Sequence, residues 1–273
     1  MQPDALDLAG WIAHLTRVDI PALRNTARSL AALREDPKRI DARGVAQVVT
    51  RDPLMTVKLL RHFQQQRSER QQHDVIQVEQ AVMMLGMEPF FANVRAEPLA
   101  EDVLRGNVDA LMSLLRVVRR SQRASRYAAA WAARLVDLHW EEVRIAALLH
   151  DLAELLMWCF APDKMLTMRA AQQRDPALRS KDVQQQVLGF DLLDLQRALA
   201  REWHLSQLLL RLMDDAAAQQ PRVRNVVLAV NLARHSANGW DDAALPDDYA
   251  QIAELLRLRP EEVPALVGAE RQG

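Results

Sequence analysis

The chain has 273 residues, 49% of them hydrophobic. That is enough for one substantial core or two small ones, and a chain of this length buries roughly 70–75% of its unfolded surface. The formal net charge is -1 with both signs interspersed, which excludes a global field that would draw the protein onto nucleic acid or anionic lipid. The single cysteine, Cys159, excludes an intrachain disulfide and a thiolate zinc cluster and fits a reducing compartment. The N-terminus lacks a basic segment, and the apolar run from Ala146 to Phe160 is interrupted by His150, Asp151 and Glu154. No run therefore reaches the ~18 residues of a membrane span, and a cytoplasmic protein with no membrane partner is expected.

Only eight glycines occur, and Gly10, Gly44, Gly86, Gly106, Gly189 and Gly239 sit where the apolar periodicity breaks. Segments rich in Ala, Leu, Arg and Gln have strong helix propensity, and alternating Val, Ile, Thr and aromatic runs are nearly missing. The reading is all-α, with helices near 5–16, 21–34, 42–50, 53–66, 77–86, 88–95, 97–105, 108–136, 140–159, 162–174, 180–188, 191–203, 205–219, 222–238, 247–257 and 260–267. Asp52-Pro53, Glu88-Pro89, Glu97-Pro98 and Gln220-Pro221 place proline at a first turn, where its missing N–H costs nothing. The polar stretch Gln64 to Gln72 reads as an exposed loop, and no tandem repeat is present.

The most informative segment is Arg144-Ile-Ala-Ala-Leu-Leu-His-Asp-Leu-Ala-Glu-Leu-Leu-Met-Trp158. Its leucines spread widely around the helix 140–159, so His150 and Asp151 fall near a core. Burying a polar group without a partner costs roughly 2–7 kcal/mol, so something must satisfy them. Two readings stand: a core histidine bonded to a carbonyl, which the rest of the chain favours, or a metal ligand. A catalytic cation wants at least four ligands including water. The remaining histidines, His14, His62, His73, His139, His204 and His235, form no pair at the spacing of one helical face. A metal site would have to draw on His204, His235, Asp191 or Asp214.

Elsewhere, Arg116, Arg119, Arg120, Arg123, Arg126 and Arg134 share one side of helix 108–136, opposite Leu114, Val118, Ala128, Ala132 and Val136. A solvated, salt-bridged face is the first reading; the functional one is an anion or partner face on Arg116, Arg119, Arg120, Arg123 and Arg126, since guanidinium forks match oxyanions. Trp131, Trp140, Trp158 and Trp203 read as core and Trp11 and Trp240 as exposed anchors, while Met83-Met84, Met87 and Phe90-Phe91 around Gly86 read as core before an adaptable groove. No phosphate loop, nucleophile elbow or dinucleotide fingerprint appears.

Four segments in order carry a resemblance: Asp19-Ile-Pro-Ala-Leu23, then Val45 to Arg61 with its Asp52-Pro53-Leu54 helix start, then Val78-Glu-Gln-Ala-Val-Met-Met-Leu-Gly86, then Ala146-Ala-Leu-Leu-His-Asp-Leu-Ala153. Together they resemble the HDOD family, HD-related output domains of bacterial signalling proteins and a degenerate branch of the HD phosphohydrolase superfamily. The resemblance implies an HDOD-like domain over 19–215, with a helical subdomain to about 107 packed on an HD-like bundle from about 108, and a helical extension over 216–273.

The same resemblance exposes departures. Where related HD domains carry His-Ser, this chain reads Arg120-Ser121, and guanidinium cannot ligate a metal. Where a glycine-x-aspartate-histidine stretch is usual, it reads Gly189-Phe190-Asp191-Leu192. A later His-His pattern falls near Asp214-Asp215, and Ala229-Val230-Asn231 stands where hydrolases use an aspartate. The segment Leu60 to Gln65 departs from the family's asparagine-serine ending. His150-Asp151 is then a remnant pair, with no catalytic residue, metal or cofactor expected. The implied role is non-enzymatic regulation through an unidentified signalling protein, with a cyclic-nucleotide second messenger as a further partner and nucleic acid disfavoured. The alternative is a metal-dependent HD-type phosphohydrolase.

Overall fold

A computed structural model of the chain describes residues 6–36, 40–66, 77–175 and 177–269. The helices follow in order as α1 (Leu8–Arg17), α2 (Arg24–Glu35), α3 (Ala42–Val49), α4 (Pro53–Gln66), α5 (Val78–Leu85), α6 (Met87–Asn93), α7 (Ala100–Val103), α8 (Val108–Arg134) and α9 (Trp140–Leu149). They continue as α10 (Leu152–Phe160), α11 (Pro162–Arg174), α12 (Ser180–Leu188), α13 (Leu192–Glu202), α14 (Gln207–Leu212), α15 (Pro221–His235), α16 (Leu245–Leu256) and α17 (Val263–Val267). Among the described residues no β-strand occurs; Ala22 and Leu99 form one isolated parallel bridge. The all-α expectation is the architecture found, and no single described helix is long and apolar enough to cross a membrane.

The chain forms two compact units, one of residues 1–118 with 151–205, the other of 119–150 with 206–273. In the first, α1 packs on α13, α3 on α2 and α5, and α4 on α5 and α10. From Pro53 to Leu60 every residue of α4 is buried, so this helix is apolar on nearly all sides and lies within the unit's core. Two polar groups anchor it. Asp52, fully buried, is its N-terminal cap: Oδ1 accepts from the amides of Leu54 (2.9 Å) and Met55 (3.2 Å), and Oδ2 from the amide of Leu23 (2.8 Å). Burial pushes this carboxyl up from its ordinary value, and the amide bonds pull against that shift. Lys58 threads its stem through the core and donates its ammonium to the carbonyls of Ile20 and Glu97 and to the Asp19 carboxylate at 2.7 Å.

Arg61, one turn further along α4, takes up the loose end of α1. Its guanidinium donates to the carbonyls of Leu15, Thr16 and Val18, the acceptors a helix C-terminus leaves without partners. Its outer face lies 5.1 Å from the ring of the buried Trp203, whose indole N–H donates to Thr16 Oγ1 at 3.3 Å.

In the second unit α15 packs on α9 and α16, and α9 also meets α14. Arg222 near the start of α15 grips the turn between α8 and α9. It bonds Asp137 Oδ2 (2.9 Å), the His139 carbonyl (3.0 Å) and Glu142 Oε2 (2.7 Å). Asn225 donates to the Ala128 carbonyl at 3.1 Å, tying α15 to α8.

Several expectations need correction. The helix expected over 140–159 is two helices, interrupted at His150-Asp151. The segment 97–105 is helical only over Ala100–Val103, because Pro98 and Ala100 bond the backbone of Ala22. The segment 205–219 is α14 followed by a 3-10 turn over Asp215–Ala217. Gln64 to Gln66 close α4 rather than open a loop; the rest of that stretch, to Gln72, lies outside the described residues, as does His73. Trp11 is buried, because α1 lies against α13. Trp140 is partly exposed, its ring facing the Arg144 guanidinium at 5.9 Å. Met83 and Met84 are exposed, since Val78, Ala81 and Val82 carry the inward stripe of α5. Gly86 ends that helix at φ 85°, a conformation open to glycine without strain.

Candidate functional site

The His150-Asp151 step occupies the break between α9 and α10. His150 keeps helical angles, whereas Asp151 at φ -100°, ψ 30° leaves them. Its carboxylate does not cap α10. The first turn of α10 is met instead by the buried Gln196 of α13, whose Oε1 accepts from the Ala153 amide at 3.2 Å. His150 Nε2 lies 2.9 Å from Asp215 Oδ1, with the imidazole largely buried and the carboxylate open to solvent. Asp215 begins the 3-10 turn after α14, and its neighbour Asp214 caps that turn by accepting from the Ala216 amide at 3.3 Å.

The other candidate ligands have separate engagements. His235 Nδ1 pairs with Asp248 Oδ2 at 2.7 Å; burial pushes that carboxyl up, and the imidazole opposes the rise. Asp191 caps α13 through the Asp194 amide (2.8 Å) and pairs with Lys181 at 3.2 Å. Burial acts against its ionised form, yet the Asp194 amide and Lys181 together hold the carboxyl below its usual value. His204 is exposed, at φ 53°. Ala229 is fully buried. Among the described residues no three His, Cys, Asp or Glu side chains assemble into a group that could hold a metal ion. The described side chains therefore do not fit the cation of an HD hydrolase. Cys159 adds no reactive group, since burial and the charges of Asp52 and Glu101 push its thiol far up.

The arginines of that face differ in exposure. Arg116, Arg119 and Arg126 are exposed, while Arg120 and Arg123 are half-buried. Arg123 turns to the connection after α15, its Nη1 donating to the Ser236 carbonyl (2.8 Å) and Oγ (3.2 Å). Sequence reasoning named Asp215 within the Asp214-Asp215 step but not as the partner of His150, and it missed Gln196 and Arg222. Only the third dimension brings these to their partners, which lie 65, 43 and 80–85 positions away.

With an all-helical fold and an HD step in place, the class is that of HD-like helical proteins. The HDOD domain model matches residues 20–219, and the chain belongs to the HDOD family. Among solved structures it is similar to the MmoQ response regulator of Methylococcus capsulatus str. Bath, at 17% identity and a TM-score of 0.65, covering 92% of this chain and 98% of that one. It is also similar to a virulence factor of Campylobacter jejuni subsp. jejuni, at 18% identity and a TM-score of 0.66, over 96% and 92% of the two chains. An HDOD domain protein of unknown function from Geobacter sulfurreducens aligns at 16% identity with a TM-score of 0.50, over 97% and 94%. No match is found among curated proteins.

Proposed function

We propose that this protein is a regulator in bacterial signal transduction that acts by binding another protein, not by hydrolysing a phosphate ester. Family membership and a response regulator among the similar structures fit a regulatory role. The observation that supports the finer reading is that, among the described residues, no three His, Cys, Asp or Glu side chains assemble around His150-Asp151, while arginine and leucine stand at Arg120 and Leu192 where the resemblance places ligands.

A second feature supports binding. The turn from α8 into α9 exposes Leu135, Val136, Leu138 and Trp140, with Leu138 85% and Val136 78% accessible. Clustered apolar side chains held out in water favour a partner surface. Val136 has φ 57°, a conformation unfavourable for a β-branched residue. The Arg222 bonds to Asp137, His139 and Glu142 hold this corner in shape.

In a cell whose signalling output depends on this protein, Leu138→Asp is expected to abolish the output while His150→Ala, at matched protein levels, leaves it intact. An exposed position tolerates such a change within about 0.5 kcal/mol, so loss of output reports on the surface. Output lost with His150→Ala and kept with Leu138→Asp would contradict the proposal.

A further inference from the structure

The second unit contains a cavity of about 650 Å³ that shares no residue with His150-Asp151 or with the exposed corner. This falls within the ~300–1,000 Å³ range of small-molecule sites. Its walls are α8, the connection after α15 and the end of α17, through Arg123, Arg126, Tyr127, Ser236, Asn238 and Trp240.

Two guanidinium groups at i and i+3 of one helix are neighbours on its surface. Among the described residues neither Arg123 nor Arg126 has a carboxylate partner. Two cations on one cavity wall without counter-charge repel each other and are stabilised by a bound anion. Arg123 is already oriented: Nη1 is spent on Ser236, which leaves Nε and Nη2 as donors of fixed direction. The Ser236 hydroxyl is itself held by the Leu232 carbonyl, so the anchor of Arg123 is rigid.

The remaining wall is aromatic and polar. Tyr127 is stacked on the buried Trp131 at 5.7 Å and 10°, which fixes its ring. Trp240, half-buried, follows Gly239, whose φ of 149° lets the connection turn at that point. Asn238 adds an amide that both donates and accepts. Guanidinium pairs with an indole and an amide in one cavity match a phosphate joined to a planar heterocycle.

We propose that this cavity is a binding site for a mononucleotide, with the phosphate on Arg123 and Arg126 and the base against Trp240. The test is isothermal titration of the full chain with 5′-AMP, 3′,5′-cyclic AMP, adenosine and inorganic phosphate. At least one of the two nucleotides binds, adenosine and phosphate bind at least ~10-fold more weakly, and Arg126→Glu weakens the nucleotide at least ~100-fold. Arg126 is exposed, so this variant folds; Trp240→Ala weakens the nucleotide ~10-fold and leaves phosphate unchanged. No binding of either nucleotide at millimolar concentration, affinity unaltered by Arg126→Glu, or phosphate binding as tightly as the nucleotides would each overturn the proposal.

Discussion

Asp52→Ala is expected to destabilise the first unit by about 1.5–5 kcal/mol and to lower its melting temperature by roughly 3–20 °C. The carboxylate has no exposed surface and accepts from three amides. Two of these, Leu54 and Met55, open α4, and loss of such a cap costs about 0.5–2 kcal/mol. The third, Leu23, lies 29 positions upstream, and stranding a buried amide adds about 1–3 kcal/mol. Asp52→Asn keeps one acceptor oxygen but turns an NH2 toward a donor, so an intermediate loss of about 1–3 kcal/mol is expected. Thermal unfolding followed by circular dichroism measures both. A shift under about 2 °C for the alanine variant would show that these bonds do not hold α4 in place.

Trp203→Ala comes next, with an expected cost of about 3–5 kcal/mol for the cavity left by a buried indole. Trp203 ends α13, stacks under Arg61 and bonds Thr16, so it joins three helices. Trp203→Phe retains most of the volume and gives up the indole N–H, for an expected loss of about 1–2 kcal/mol. Urea unfolding separates the two: the midpoint falls in that order while the slope stays constant. Equal midpoints for the two variants would place the cost in the hydrogen bond and not in packing.

Much of this fold was legible because it rests on local signals. Asp52-Pro53-Leu54 announced a helix start, and α4 begins there. What Asp52 does for Leu23 was not legible, because that bond spans two helices. The interruption at His150-Asp151 was hidden for a related reason. The segment contains no glycine or proline, so its periodicity reads as continuous. The bonds at the break, Gln196 to Ala153 and Asp215 to His150, come from elements distant in sequence.

The tryptophans show the limit of pattern reading. Trp131, Trp158 and Trp203 lie in the core as their apolar neighbours required, but Trp11 and Trp140 exchanged places. Which face of a short helix is covered depends on the helix that packs there. The arginine run was visible as a stripe, yet which two guanidiniums share a cavity was decided by the connection after α15, whose approach no spacing encodes.

We propose that His150-Asp151 does not organise a hydrolytic cation. Untagged protein exposed to manganese, iron and zinc, desalted, and assayed for bound metal and for hydrolysis of bis(p-nitrophenyl) phosphate tests it most directly, with His150→Ala in parallel. Substoichiometric metal and no turnover, the same in both proteins, is the expected result. One metal ion per chain together with turnover, both lost in His150→Ala, would contradict it.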